Sequence, residues 1–406
     1  MKTISSNCLT FLSDTPPLKN KGSGISVLLF HIIKALNGNF TVNVITFCRE
    51  VEVEPAEIES DNFDIDVHIC DKSFFTSYKR LKFGVFKKLF QFIAFIWSIP
   101  GILKRYDSDQ NTFLTVVGAS IKPVCKAWIL MKLAPRSKHC LYIVDDLELI
   151  NKKYDNKFEL YLIRLFLERS IRQADVLITI SEGLKKLYKN KYDKDSTVLA
   201  PHFNKVPPLA DKDEKKEREF VFLFTGGLNI LYNGSLKFFA SVIDDLNKKS
   251  THDVIFKLVV QTYSSLADFR SLNFNEDYVS YSTSDNRDRL LDVYKQCDCF
   301  LIPYSFEEAD HGLITTSFPQ KIAEIIQYGR TILTLGPAYS SVNNFFVLND
   351  LNYRCEEPSL DRLVEAITDI LVDGRKFDSY YSAYNKYLSK ESVIRIFNDI
   401  IKMKDQ

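Results

Sequence analysis

Two rhythms of apolar residues alternate along this chain. Short runs rich in β-branched and aromatic residues recur at Leu9–Leu12, Val42–Phe47, Thr112–Val117, Leu141–Val144 and Val176–Ile180. Stretches with helical spacing lie among them, at Ile25–Leu36 and Phe158–Arg172, and Ser181 is placed to cap a helix running through Lys189. A second series follows, with strands predicted at Phe220–Phe224, Val254–Val260, Cys299–Ile302 and Thr331–Leu335. Its helices are predicted at Ser235–Leu246, at Arg287–Gln296 and after Pro319. Continuous apolar strands joined by helices predict parallel sheets covered on both faces.

The pattern breaks once. Past Pro201, the pair Pro207-Pro208 and the charged run Asp211–Glu219 contain almost nothing able to build a core, which predicts an interdomain linker. The expected organisation is an α/β chain with a Rossmann-like domain over 1–205, a second over 206–376, and a helical segment over 377–406 that packs back towards the first. A length of 406 residues exceeds one comfortable core and agrees with two.

Composition removes several classes of function. Apolar content of 46% and charged content of 26% are those of a globular protein. The 53 basic residues are balanced by 52 acidic ones, so no global field favours nucleic acid. Met1–Asn7 lacks the apolar core of a signal peptide, and the eight cysteines are scattered, so reduced thiols in the cytoplasm are expected. Cys297-Asp298-Cys299 lacks the two-residue gap of common zinc pairs, and no metal or resident cofactor is expected.

Polar residues gather where strands end. Ser317, Pro319 and Gln320 read as the capped start of a helix ending at Gly329, with Lys321 and Glu324 on one face. Such a terminus suits a diphosphate, with Lys321 adding charge and Glu324 accepting from sugar or ribose hydroxyls; an ordinary capped surface helix reads the same way. Gly22 and Gly24 precede the first helix, and Gly226-Gly227 end the strand opening the second series. These glycines fit either close approach to a ligand or simple turns. Asp145-Asp146 follow an apolar strand and suit a general base or a hydroxyl acceptor, or in Asp146 a helix cap. His311 lies in the long loop from Pro303 to Gly312 as a further catalytic candidate or a plain polar residue.

One run stands apart. From Lys72 to Arg105 there are eight basic residues and no acidic ones, interleaved with aromatics. Its apolar core is too short to span a bilayer. It fits a helix lying on anionic lipid, or a core helix with a cationic outer face.

Tyr294–Ser341 carries the most specific pattern: Cys-Asp-Cys-Phe-Leu-Ile-Pro, Thr-Ser-Phe-Pro-Gln-Lys-Ile-Ala-Glu, Tyr-Gly-Arg-Thr-Ile-Leu and Gly-Pro-Ala-Tyr-Ser-Ser. With Gly22-Ser23-Gly24, Ser181–Leu184 and Thr225-Gly226-Gly227, it resembles bacterial glycosyltransferases of the GT-B fold, which use nucleotide sugars to build surface polysaccharides. The resemblance covers nearly the whole chain. It implies two facing Rossmann-like domains, a nucleotide-diphosphate sugar donor and a lipid-linked or oligosaccharide acceptor at the inner face of the cell membrane. Glu324 then corresponds to the ribose-binding carboxylate, Gly24 and Lys321 lie near the diphosphate, and Ser340 belongs to the donor-binding loop. Thr316 stands where many retaining members have a first glutamate, and Gly227 and Asn233 stand roughly where many have an arginine and a lysine, which shifts attention to Lys321 and Arg330. A nucleotide-sugar epimerase of the same fold and a catalytically silent scaffold in polysaccharide assembly are the alternatives.

Overall fold

The computed structural model describes residues 8–18, 24–46, 66–69, 84–118, 120–153, 157–209, 219–249, 254–284, 287–351, 353–372 and 377–403. Gly22, residues 72–83 of the basic run and residues 210–218 of the linker lie outside the described residues. The chain divides into two compact units, residues 1–202 with 390–406, and residues 203–389.

The first unit is built on β1 (Cys8–Ser13), β2 (Thr41–Thr46), β3 (Asp66–Ile69), β4 (Asn111–Val117), β5 (Lys138–Ile143), β6 (Val176–Thr179) and β7 (Thr197–Val198). Its helices are α1 (Gly24–Leu36), α2 (Gly84–Tyr106), α3 (Lys122–Leu133), α4 (Leu147–Lys153), α5 (Lys157–Gln173) and α6 (Glu182–Tyr192). The strands form one parallel sheet in the order β3-β2-β1-β4-β5-β6-β7. This doubly wound order places the switch point between β1 and β4, where ligands bind beyond the strand ends. Every residue of β4 and β5 is buried, which explains the largely apolar runs Thr112–Val117 and Leu141–Val144 read from the sequence. Ser181 caps α6 as expected, accepting from the Leu184 amide at 3.1 Å.

The second unit repeats the plan. It contains β8 (Glu219–Thr225), β9 (Ile255–Gln261), β10 (Val279–Ser282), β11 (Cys299–Pro303), β12 (Thr331–Leu335) and β13 (Arg354–Cys355), ordered β10-β9-β8-β11-β12-β13. All described pairings are again parallel. Around the sheet lie α7 (Ile230–Lys249), α8 (Leu266–Arg270), α9 (Arg287–Gln296), α10 (His311–Thr316), α11 (Ile322–Ile325), α12 (Ser341–Leu348), α13 (Leu360–Val372) and α14 (Phe377–Ala383). Phe222, Phe239, Phe256, Leu301 and Leu333 anchor its core.

The C-terminal segment is less continuous than its sequence predicts. After α14 comes a π-helical turn, Tyr384–Leu388, and then Ser389 adopts an extended conformation that interrupts the helix. The Tyr384 hydroxyl donates to the Phe203 carbonyl at 3.0 Å, holding this part in the second unit. Only α15 (Lys390–Lys402) joins the first unit, where it packs against α1. Phe397 sits 6.2 Å from Phe11 between ring centroids, and Lys138 bonds the Ile400 carbonyl.

Candidate functional site

The start of α7, the loop after β11 and the loop after β12 are pinned together in the second unit. Tyr304, directly after β11, hydrogen-bonds through its hydroxyl to Ser317 at 3.0 Å, and its carbonyl accepts from Ser235 at 2.5 Å. Its ring lies parallel to Tyr232 of α7, with centroids 6.0 Å apart. Ser341, at the start of α12, donates to the Ser317 carbonyl. The loop after β12 is fixed by Asn343, whose amide donates to the Gly336 and Pro337 carbonyls at 2.6 and 3.2 Å. Asn343 in turn accepts from Thr334 at 2.5 Å.

After β8, Gly226 adopts φ +158°, which side chains disfavour. Gly227 lies beneath Tyr263: a Cβ there would come within 2.3 Å of the tyrosine hydroxyl, although Tyr263 itself is 87% exposed. The Leu228 amide donates to Ser264 at 2.9 Å, so the loops after β8 and β9 are also joined. Asn233 sits in the first turns of α7, partly buried.

The capped helix expected from Ser317 to Gly329 is not formed. Ser317 ends α10 instead of starting a helix, and its hydroxyl is taken by Tyr304. The next helix, α11, has four residues, and Lys321 at its start provides no side-chain cap. The amides of Ile322, Ala323 and Glu324 bond the carbonyls three residues back, at 3.2, 3.2 and 3.0 Å. Tight turns therefore consume the N–H groups that a long helix would leave free at its terminus.

Lys321 and Glu324 nevertheless share a face. Glu324 is 3% exposed, accepts from the Tyr328 hydroxyl at 3.0 Å, and has the Lys321 ammonium 3.5 Å from its other oxygen. Lys321 remains 41% exposed along its side chain. Tyr328 packs edge-on against Tyr294 at 5.4 Å, and Tyr294 reaches Thr225 at the end of β8 at 3.4 Å. Arg330 is enclosed in the unit, only 1% exposed.

Other predicted residues have local duties. Thr316 is buried and donates to the Gly312 carbonyl of its own helix at 2.8 Å. Ser340 is fully buried and caps α12, accepting from the Asn343 amide at 3.2 Å. His311 is exposed at the start of α10, its ring 4.3 Å from that of Tyr339.

In the first unit, Asp145 and Asp146 follow β5 and separate in role. Asp146 is 3% exposed and accepts from the Leu149 amide at 2.7 Å, capping α4. Asp145 has its pKa pushed up to about 6, by burial first and by the neighbouring Asp146 carboxylate second. That is the range of a general base working near neutral pH. Gly24 opens α1 and is exposed. Lys126 on α3, which sequence reasoning passed over, is buried and ion-paired with Asp14 in the loop after β1. No local pattern announces it, because its partner lies 112 residues away.

No protein-family model matches the chain, and no curated protein sequence matches it. Solved structures match along its full length. The lipopolysaccharide outer core galactosyltransferase WaaB, in its apo form, superposes with a TM-score of 0.64 at 14% identity, covering 98% of this chain and 99% of that one. The crystal structure of TarM gives 0.66 at 10% identity, covering 97% and 98%. Trehalose-6-phosphate from E. coli bound with UDP-2-fluoro glucose gives 0.57 at 11% identity, covering 97% and 99%. The two Rossmann-like units, with a last helix returning to the first, have the fold of GT-B glycosyltransferases.

Proposed function

We propose that this protein is a glycosyltransferase that moves a sugar from a nucleotide-diphosphate donor to a lipid-linked saccharide in bacterial surface polysaccharide synthesis, working peripherally on the cytoplasmic membrane face. The observation that carries this reading is the convergence of the start of α7 with the loops after β11 and β12 in the second unit, next in the chain to the Lys321–Glu324 pair. A buried carboxylate held by a tyrosine suits the hydroxyls of a ribose, and an exposed ammonium suits a diphosphate. The fold shared with a galactosyltransferase and with a UDP-2-fluoro glucose complex supports the same donor class.

In this reading Glu324 binds the ribose hydroxyls and Lys321 offsets charge on the departing diphosphate. Gly226 and Gly227 let the backbone of the β8 loop approach the donor. Asp145 binds or deprotonates the acceptor hydroxyl, while Asp146 holds the start of α4. Ser317 and Ser340 shape the loops around the donor, and Thr316 contributes packing. His311 lines the loop after β11.

The test is a panel of nucleotide sugars screened by protection against thermal unfolding, since a ligand of the native state raises apparent stability. The protecting donor is then incubated with lipid-linked saccharide extracts. Transfer of labelled sugar supports the proposal. Conversion of the donor to its epimer, or protection without any turnover, would replace it with the epimerase or scaffold reading respectively.

A further inference from the structure

Helix α2 shows two apolar faces. Phe95, Ile99, Ile102 and Tyr106 recur at helical spacing and are buried against Leu12, Ile45, Phe113 and Leu130. On the opposite side, Ile93, Ile96, Trp97 and Pro100 are exposed, with Trp97 at 73%. Isolated exposed apolar residues are ordinary, but these four occupy i, i+3, i+4 and i+7 and make one stripe. Lys104 continues the stripe and Arg105 adjoins it, both exposed.

We propose that this stripe is a lipid-inserting face that seats the first unit on an anionic bilayer. The proposal rests on the lipid-linked acceptor reading above and names the surface that would bring the protein to it. Charge selects the occupant. The helix itself, Gly84–Tyr106, carries Lys87, Lys88, Lys104 and Arg105 without one acid, which complements anionic headgroups. Trp97 lies in mid-stripe, and tryptophan prefers the boundary between acyl chains and headgroups. No described helix is long and apolar enough to cross a membrane, so insertion here means lying in the interface. The inward face ties that surface to the core. Phe95 lies under the Lys126 ammonium, 5.8 Å from ring centroid to nitrogen, and Lys126 pairs with Asp14 beyond β1.

The chain has two tryptophans, and Trp128 packs edge-on against Phe166, so Trp97 is the reporter. Purified full-length protein is titrated with phosphatidylcholine vesicles, with and without phosphatidylglycerol. A blue shift of tryptophan emission and quenching by brominated acyl chains are expected with the anionic vesicles. The double variant Ile96→Ser, Trp97→Ser, checked for folding by circular dichroism, should lose vesicle co-sedimentation by about tenfold or more, as binding scales with buried apolar area. Nucleotide-sugar affinity should stay unchanged. An emission that ignores anionic vesicles, or equal co-sedimentation of wild type and variant, overturns the proposal. So does self-association without lipid that the double variant abolishes, which would assign the stripe to a second copy of the chain. Transfer to a soluble acceptor without vesicle binding would remove the lipid face and leave the transferase reading standing. Vesicle binding without transfer would do the reverse.

Discussion

The Tyr328 hydroxyl donates to Glu324 at 3.0 Å across one turn of chain, and both side chains are buried. Lys321 stands on the other carboxylate oxygen at 3.5 Å. The carboxylate is therefore held from both sides before any ligand arrives. Glu324→Gln keeps its shape and removes its charge. Donor turnover or affinity is expected to fall by about ten- to a hundredfold, the scale of a hydrogen bond to a charged group. Tyr328→Phe should cost less, because it removes a positioning contact only. Donor kinetics of the folded variants check both.

Lys321→Ala separates charge from shape. Nucleoside diphosphates should lose affinity more than nucleosides, because only the former offer phosphate to the ammonium. Calorimetric titration with matched pairs of ligands reads the difference, and an equal loss for both would remove Lys321 from the diphosphate.

Asp145 makes a prediction in pH. Its folded pKa of about 6 lies above the ordinary carboxylate value of 3.8, so the folded chain binds more protons than the unfolded one between these values. Its contribution to stability therefore falls as pH rises from about 4 to about 6. Asp145→Asn should be stabilised relative to wild type at neutral pH more than at pH near 4, as read by urea unfolding. If the carboxylate also acts as a base, wild-type transfer should show an acid limb near pH 6 that the asparagine variant lacks.

Asn343 is fully buried and serves Gly336, Pro337 and Thr334 at once. Asn343→Ala leaves those groups without this partner and is expected to destabilise the second unit by about 2–4 kcal/mol. Denaturant unfolding measures the loss, and donor affinity should fall with it as the loop after β12 loosens.

Gly227→Ala drives a methyl group into Tyr263, yet that tyrosine is exposed and can swing aside. The stability cost should stay below about 1 kcal/mol, and Tyr263→Ala should cancel it in a double-mutant cycle. A donor affinity that drops while stability holds would mark this loop as the close approach to the ligand.

The sequence by itself determined the inner strands of both sheets and several crossover helices, but not the short edge strands β3, β7, β10 and β13. Runs such as Thr112–Val117, Cys299–Ile302 and Thr331–Leu335 hold only apolar residues and threonine because both sheet faces are covered, and that burial writes itself into every position. Ser181 was legible for a similar reason: its cap needs only the amide three residues on. Alternating elements made the parallel α/β plan legible, and the GT-B fold was implied by the family resemblance that Tyr294–Ser341 carries. The tertiary structure decided what happens where local signals meet distant partners. Ser317 had the neighbours of an N-cap, but Tyr304 and Ser341 claimed it and a four-residue helix resulted. The helix beyond Phe377 broke at Ser389, and its two parts joined different units. Aspartates side by side in sequence took different roles: Asp146 caps α4 through the Leu149 amide, while burial first and the Asp146 carboxylate second raise the pKa of Asp145. Lys126 found Asp14 across 112 residues, a contact that no window of sequence contains. Local hydrogen bonds and burial periodicity are encoded within a few residues, whereas the competition for a buried hydroxyl or charge is settled only when the sheets bring remote loops together.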